Sequence, residues 1–503
     1  MKNKKLAIVL YIVVLVLMLL AEALTAAIVM RLGMLPGKYI VIMAIALVFF
    51  AAFVGLLMFL PLKKKVGNVR RIIACVLALL MVCGCALVSK LATDAYRTIN
   101  RVTNPGTTVN MRNMYVLVRN EDSAQTLTDI VDYSFGLIVD YSYDQTMHAL
   151  SVIETEIGKK PVVLNCETAA QVADALLNGD NDAALLNGIS LSLLLEEESY
   201  EDFMDKVRIL ETIAYVEPEE TTEATEEVIR DITTEPFVIY MSGSDTRSKL
   251  LNTSRSDVNI LMVVNPVSKQ VLLVNTPRDY YVPNPAGNGA LDKLTHCGLY
   301  GIDCSMEALE GLYGVDVKYY GQINFTGFEK LVDAVGGITV YSDQSFSAGG
   351  GSVYIQKGDN FLNGEQALAF ARERYRVSGG DNGRGKNQMK VIAAIVTKMT
   401  SGTTIISNYT SILESVSGMF TTNITSDEIG KLVKMQLTDM AKWNIQSYAV
   451  TGTGGSQKTY SMPGTNAYVM YPNEKTVDHA SKLIEKVMAG DILTNEDLKL
   501  ETS

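Results

Sequence analysis

Three apolar runs fill most of the first ninety residues, and they restrict everything the chain can do afterwards. Leu6–Met30, Tyr39–Leu62 and Ile72–Val88 are almost uninterrupted. A helix needs roughly 20 residues to cross a hydrocarbon core of about 30 Å, so the first two runs are long enough and the third is adequate. Ala21-Glu-Ala23 resembles a signal-peptide cleavage site. The first run, however, exceeds the usual signal h-region of about 7–15 residues, so it reads as an uncleaved anchor. Lys2, Lys4 and Lys5 precede the first run, and Lys63, Lys64, Lys65, Arg70 and Arg71 fill the second loop, whereas the first loop carries only Arg31 and Lys38. The positive-inside rule therefore predicts a multi-pass cell-membrane anchor over residues 1–91. Its N-terminus and second loop would be cytoplasmic, and everything after about Leu91 would be outside.

At 503 residues the chain should hold two or three domains. A net charge of −11 argues against a nucleic-acid partner, and no helix-turn-helix pattern is present. Six cysteines are too few for a disulfide scaffold of this size. Cys75, Cys83 and Cys85 fall in the third apolar run, where they read as small apolar fillers. Residues 92–216 read as a small extracellular α/β accessory domain. Asn110–Arg119, Lys160–Leu164 and Ala183–Asn187 are expected as strands, and Thr168–Leu177 and Leu191–Leu195 as helices. The alternation from Pro161 to Ala184 predicts a small parallel sheet. Residues 217–236, rich in Glu and Thr, read as an extended acidic linker.

The chemistry begins after the linker. Val258–Val264 and Gln270–Asn275 are β-rich runs around a short turn containing Pro266 and Ser268. If Val264 pairs with Val271, the same antiparallel register brings Asp257 opposite Arg278 at the open end of the hairpin. A third run, Phe237–Met241, delivers Asp245 to the same end. Two unpaired carboxylates about 4 Å apart repel by roughly 4 kcal/mol at an effective dielectric near 20. A divalent cation relieves that repulsion, and oxygen-only ligands favour magnesium, with Asp245 and Asp257 as its metal ligands. The alternative is that each Asp only caps a turn or pairs with Arg247 or Arg255.

More cations follow in the chain. Arg372 and Arg374 share a face only on extended backbone, so the helix entered at Asn363 is expected to end near Phe370, with both arginines aimed at the rim. Gly379–Gln388 opens a long amphipathic helix through about Met399 that presents backbone N–H groups, with Arg384 and Gln388 four apart on one face. Arg255, Arg278, Arg372, Arg374 and Arg384, with Lys293 as a mobile point charge, make a polyanion site if the fold unites them. With two Asp and magnesium the natural ligand is a pyrophosphate, and the expected chemistry is displacement at phosphorus. His296 reads as structural. Cys297 and Cys304 are too far apart to bridge on one helix, and a disulfide requires Gly298 and Gly301 to break it. Further on, Tyr409–Phe420, Asp427–Met435 and Glu474–Met488 are expected as helices and Trp443–Val450 as a strand. Thr451–Asn466 is expected as an exposed Gly/Ser-rich loop.

Gly243-Ser-Asp-Thr-Arg, Ser254-Arg-Ser-Asp, Thr276-Pro-Arg-Asp, Lys293-Leu-Thr-His, Phe370-Ala-Arg-Glu-Arg-Tyr and Asp381-Asn-Gly-Arg-Gly-Lys-Asn-Gln occur in this order. The series resembles the LytR-CpsA-Psr family over roughly Phe237–Met399, and three spans with a preceding outer domain resemble its capsule-associated CpsA branch. The resemblance implies a catalytic domain over residues 237–490, followed by a short tail at 491–503. It also implies an α/β/α sandwich with a mixed central sheet, and a magnesium-dependent phosphotransferase of Gram-positive cell walls. Such an enzyme moves a capsular or teichoic-acid-like glycopolymer from a polyprenyl-pyrophosphate carrier, its donor, to peptidoglycan, its acceptor. By this resemblance Asp245 and Asp257 handle the metal, and Arg278, Arg372 and Arg374 hold the pyrophosphate. Arg255, Lys293, Arg384 and Gln388 occupy supporting positions. The base is not given by the resemblance; Asp245 is one candidate, and activation of the acceptor by the metal is the other.

Other functions fit the same residues. Water in place of the sugar hydroxyl would make a pyrophosphatase. A membrane sensor or transcriptional attenuator, or a lipid-glycan binder without turnover, would need no chemistry at the rim. The absence of a cytoplasmic DNA-binding pattern counts against the attenuator.

Overall fold

A computed structural model of the chain describes residues 2–31, 33–60, 64–103, 111–138, 143–195, 197–216, 231–244, 255–401, 412, 415 and 419–500. The N-terminal helices are α1 (Lys2–Arg31), α2 (Gly37–Phe59) and α3 (Lys64–Thr103). Within them Ile8–Arg31, Gly37–Phe59 and Val69–Asp94 are long and apolar enough to cross a membrane. They pack on one another through Met18, Val54, Met58, Ala74 and Ala78 and leave Leu20, Val48, Phe49 and Ile72 exposed. An apolar exterior of this kind suits lipid rather than water. At 40 residues, α3 runs past the boundary expected at Leu91 as one helix of about 60 Å.

The accessory domain is built on a five-stranded sheet of β1 (Met111–Arg119), β2 (Ser134–Ile138), β3 (Val162–Cys166), β4 (Ala183–Asn187) and β5 (Val207–Val216). Their spatial order is β3-β2-β4-β1-β5. Alternate residues face opposite sides, as a pleated strand requires. Val116, Val118 and Leu185 face α4 (Tyr143–Ile157). Leu117, Ala184 and Leu186 face α5 (Ala169–Asn178) and α6 (Gly188–Leu194). The parallel sheet is present, but β3 and β4 flank β2 instead of pairing with each other. Of the acidic linker, residues 217–230 lie outside the described residues.

The larger domain holds β6 (Phe237–Ser244), β7 (Val258–Asn265) and β8 (Gln270–Asn275) at the centre of its sheet. Beyond them come the hairpin β9 (Tyr281–Asn284) and β10 (Ala290–Lys293), helix α7 (Ile302–Tyr313), β11 (Tyr319–Asn324) and α8 (Phe325–Ala334). Four short strands follow in two pairs, β12 (Ile338–Ser342) with β15 (Gly358–Leu362) and β13 (Phe346–Ala348) with β14 (Val353–Ile355). They share a core with α8, α9 (Gly364–Arg372) and α10 (Gly380–Thr400). The chain then forms β16 (Phe420–Thr422), α11 (Ser426–Asp439), β17 (Asn444–Ala449), β18 (Gly452–Gln457), β19 (Ala467–Pro472) and α12 (Glu474–Ala489).

The six-stranded sheet runs β16-β11-β6-β7-β8-β17 and mixes parallel with antiparallel pairs. On one face Val238, Tyr240, Leu261, Val263, Leu272 and Val274 pack on α7 and α12. On the other, Ile239, Ile260, Met262, Val271 and Leu273 pack on Met389 of α10. With both faces covered, β7 and β8 read as continuous apolar runs, and the result is the α/β/α sandwich expected.

One expectation fails here and a second is tested only at its end. Thr451–Asn466 is not one loop, because β18 and β19 form an antiparallel hairpin. The sequence of β18, Gly-Thr-Gly-Gly-Ser-Gln, has no apolar alternation, because Tyr468 and Tyr471 of the partner strand lie over its glycines. A Cβ on Gly455 would meet Tyr471 Cε2 at 2.4 Å. The helix expected over Tyr409–Phe420 falls largely outside the described residues, and Phe420 itself begins β16.

Candidate active site

Val264 pairs with Val271, and the register carries through to the hairpin's open end. There Arg278 Nη1 donates to Asp257 Oδ1 at 2.7 Å. Asp257 N donates in turn to Gly243 O, so the end of β6 lies against this pair. Asp245, one residue beyond β6, lies outside the described residues. The stretch before Asp257 is held from below, with Tyr240 Oη 2.8 Å and Ser242 Oγ 2.8 Å from the buried Ser256 Oγ. Arg255 is half-buried beside it.

The rim continues through Asp279, whose Oδ2 is 3.6 Å from Arg278 Nε and whose Oδ1 is 3.2 Å from Lys293 Nζ. Lys293 therefore stands at the rim as expected, on a carboxylate whose role the sequence reading left unassigned. Arg384 Nη2 reaches Asp381 Oδ1 at 2.6 Å within the first turn of α10. Gly385 lets that turn approach the sheet, since a Cβ there would meet Asn275 Nδ2 at 2.3 Å. Gln388 is buried one turn further along. The helix α9 ends at Arg372, two residues later than expected, and Glu373 is already extended. The Arg372 guanidinium lies 4.3 Å from the Phe325 ring centroid and that of Arg374 4.7 Å from Tyr375. Neither pairs with a carboxylate among the described residues.

The charges act on one another. Burial alone would lower the Arg278 pKa, but Asp257 and Asp279 reverse this and raise it, with Asp381 adding to the effect. Burial lowers that of Arg384, and neighbouring Arg278 and Arg374 lower it further against the opposing pull of Asp381 and Asp257. An arginine stays protonated under such shifts, so the rim keeps its positive charge. Asp257, Asp279 and Asp381 each have a cationic partner, and Arg372 and Arg374 add charge beyond those pairs. Arg278 Nε is buried without a hydrogen-bond acceptor among the described residues. Such a donor favours an incoming oxyanion.

Behind the rim Asp292 is fully buried and accepts from His296 Nδ1 (2.7 Å), Asn284 Nδ2 (3.0 Å), Lys293 N (2.8 Å) and Ser461 N (3.2 Å). Ser461 Oγ also donates to it. Burial pushes its pKa up, but the bonds from His296, Ser461 and Asn284 outweigh this and hold it below the ordinary carboxylate range. His296 is fully buried, with its Nδ1 bonded to Asp292. Cys297 and Cys304 are free thiols. Gly301, at φ 115°, breaks the helix between them as a short-loop bridge would require. Cys304 Sγ donates to Asn284 Oδ1 at 3.3 Å, and the adjoining Cys304 together with burial pushes the Cys297 thiol up.

The LytR_cpsA_psr family model matches residues 207–484, more than half of the chain. The chain belongs to the LytR-CpsA-Psr family. The match begins at β5 of the accessory domain and ends within α12. Among its relatives is the polyisoprenyl-teichoic acid–peptidoglycan teichoic acid transferase TagU of Enterococcus faecalis (strain ATCC 700802 / V583). It is 37% identical over 225 residues, which are 44% of this chain and 72% of that protein. The TagU of Bacillus mycoides (strain KBAB4) is 35% identical over 201 residues, 40% of this chain and 64% of that one. The crystal structure of B. subtilis TagV superposes with a TM-score of 0.43 at 26% identity, covering 52% of this chain and 99% of that one. The solved structure of TagT bound to LI-WTA gives 0.41 at 26%, covering 52% of this chain and 93% of that one. These relatives do not single out the capsule-associated branch of the family.

Proposed function

We propose that this protein is a membrane-anchored phosphotransferase, acting outside the membrane, which moves a cell-wall glycopolymer from a polyprenyl-pyrophosphate carrier to peptidoglycan. The observation that carries this reading is the Arg278–Asp257 pair, with Arg384 and Arg374 near enough to perturb one another electrostatically. A pyrophosphate matches an arginine-rich rim in which cations outnumber carboxylates. The relatives' names, teichoic acid transferases acting on peptidoglycan, support the same class of reaction.

In the proposed reaction an acceptor sugar hydroxyl attacks the phosphorus that bears the glycan. The new P–O bond makes a phosphodiester, the bond to the bridging oxygen breaks, and polyprenyl phosphate leaves. The hydroxyl proton passes to a rim carboxylate, for which Asp245 is the candidate. Arg278, Arg372 and Arg374 bind the phosphate oxygens, while Lys293, Arg384, Arg255 and Gln388 support them.

Magnesium fits the donor set in kind. Asp257 is a rim carboxylate backed against the end of β6, and Asp245 follows that strand in the sequence. These two would hold the ion, which when bound supplies charge neutralisation at the phosphates. Among the described residues alone, no group of three His, Cys, Asp or Glu could hold a metal.

The test uses the full chain in detergent, magnesium, a polyprenyl-pyrophosphate oligosaccharide and uncrosslinked peptidoglycan. Mass spectrometry should find a phosphodiester-linked sugar on the glycan that is absent with Asp245→Ala. Polyprenyl phosphate released without a linked product would make the protein a pyrophosphatase instead.

A further inference from the structure

The accessory domain carries a crevice that the transfer chemistry does not use. Strands β2, β3 and β4 run parallel, so Ile138, Cys166 and Asn187 end at one edge of the sheet. The chain leaves β2 into α4 on one face and leaves β3 into α5 on the other. Ligands of open α/β sheets bind where successive connections diverge in this way, beyond the carboxyl ends of the strands. A cavity of about 400 Å³ lies there, with Gln145 from α4 and Gln171 from α5 in its lining.

Its far wall belongs to the catalytic domain. Tyr300 and the segment from Lys458 to Thr465 close it. Gly464 sits directly on the N-cap of α5, where a Cβ would come within 2.4 Å of Thr168 Cγ2. The same segment contains Ser461, which bonds the buried Asp292, and Tyr300 Oη is 3.0 Å from Ser461 Oγ. Asp292 accepts from the backbone of Lys293, whose ammonium stands at the rim on Asp279. One wall of the crevice is thus tied through three residues to the arginine site.

The lining limits the ligand. Glu167 and Glu197 face a single cation, Lys458, which disfavours phosphate and other anions. Gln145 and Gln171 line it with planar amides suited to hydroxyl and acetamido groups. The Gln171 carbonyl already accepts from Glu167 N, which leaves its amide N–H groups as donors, and the Asn187 carbonyl caps α6 at Ser190 N. Tyr300 and Met462 add apolar surface for a ring face. We propose that this crevice is a saccharide subsite, holding a neutral glycan segment beside the reacting centre. The proposal rests on the transferase reading only for which glycan this is, namely the acceptor strand.

The test measures binding of chitotetraose, a neutral N-acetylated probe, to the full chain in lipid nanodiscs by calorimetry. Wild type should bind, and Ala170→Trp, which fills the crevice from α5, should weaken binding by at least about tenfold. Glu197→Gln and Gln171→Ala, too mild to unfold the domain, should each weaken it by about threefold. Arg278→Ala should leave it unchanged. Loss of binding in Arg278→Ala would put the sugar at the rim and overturn the proposal. So would wild-type binding that is absent or insensitive to all three crevice variants, or preference for a lysine-bearing peptide over the glycan. If wild type binds in the crevice yet transfers nothing, the subsite stands and the transferase reading falls.

Discussion

Arg278 contributes both charge and geometry, and its replacement separates the two. Its guanidinium is bonded to Asp257 and adjoins Asp279, carboxylates whose side chains are 15% and 11% exposed. Removing it takes a donor from the pyrophosphate and leaves two neighbouring anions less well compensated. Arg278→Ala should lower the rate of polyprenyl-phosphate release by about 10²–10³, the effect of deleting one transition-state donor. Arg278→Lys should recover little of it, because an ammonium cannot span two phosphate oxygens in a plane. Asp292 predicts a stability effect instead. Asp292→Asn leaves buried donors short of an acceptor, at a cost of about 1–3 kcal/mol, read as a lower Tm. Its folded pKa lies below its unfolded value, so its ionised form stabilises the protein above the ordinary carboxylate range and ceases to as pH falls through the folded pKa. The Tm gap between wild type and Asp292→Asn should therefore be full above about pH 4 and close below it.

Among the elements, α10 shows how backbone proximity positions a charge. Gly385 packs against the buried Asn275 at the end of β8, and Arg384 precedes it. Gly385→Ala should push the first turn off the sheet, costing about 1–3 kcal/mol by overpacking. The displaced Arg384 should lower transfer as well. Lys386→Ala, exposed on the same helix, should change neither Tm nor rate. The central hairpin was legible because both its faces are buried and its strands form unbroken apolar runs, and simple register arithmetic then brought Asp257 to Arg278. Strand β18 was not legible, since its partner's tyrosines cover it and its own residues carry no pattern. Strand β2 is five residues long with Gly136 at its centre, too weak a signal on its own. At the site, Asp381 three residues before Arg384 had a local helical signal that could have revealed it. Asp292 had a similar one in His296, four residues on, but its bond to Ser461 comes from a distant segment, and Asp279 meets Lys293 only through the fold.

Across the whole molecule, the anchor and the catalytic domain are joined by more than a linker. Helix α3 lies against β16 and α11, and Lys38, in the first turn of α2 just after the first loop, donates to Thr438 O of α11 at 2.8 Å. The catalytic domain and the first loop thus share one end of the three-helix anchor. If all three helices span, that end lies opposite the N-terminus, and the proposed orientation puts the lysine-rich second loop in the cytoplasm. This orientation is checked with single cysteines in a background whose native cysteines are replaced, using intact cells and a membrane-impermeant maleimide. Leu35→Cys in the first loop and Lys458→Cys in the outer segment should both label, whereas Lys64→Cys should label only after lysis. Labelling of Lys64→Cys alone in intact cells would invert the anchor and put the arginine rim in the cytoplasm, away from any peptidoglycan acceptor. Labelling of the first-loop and outer-segment sites together would instead leave the rim on the same side as the polymer it is proposed to join.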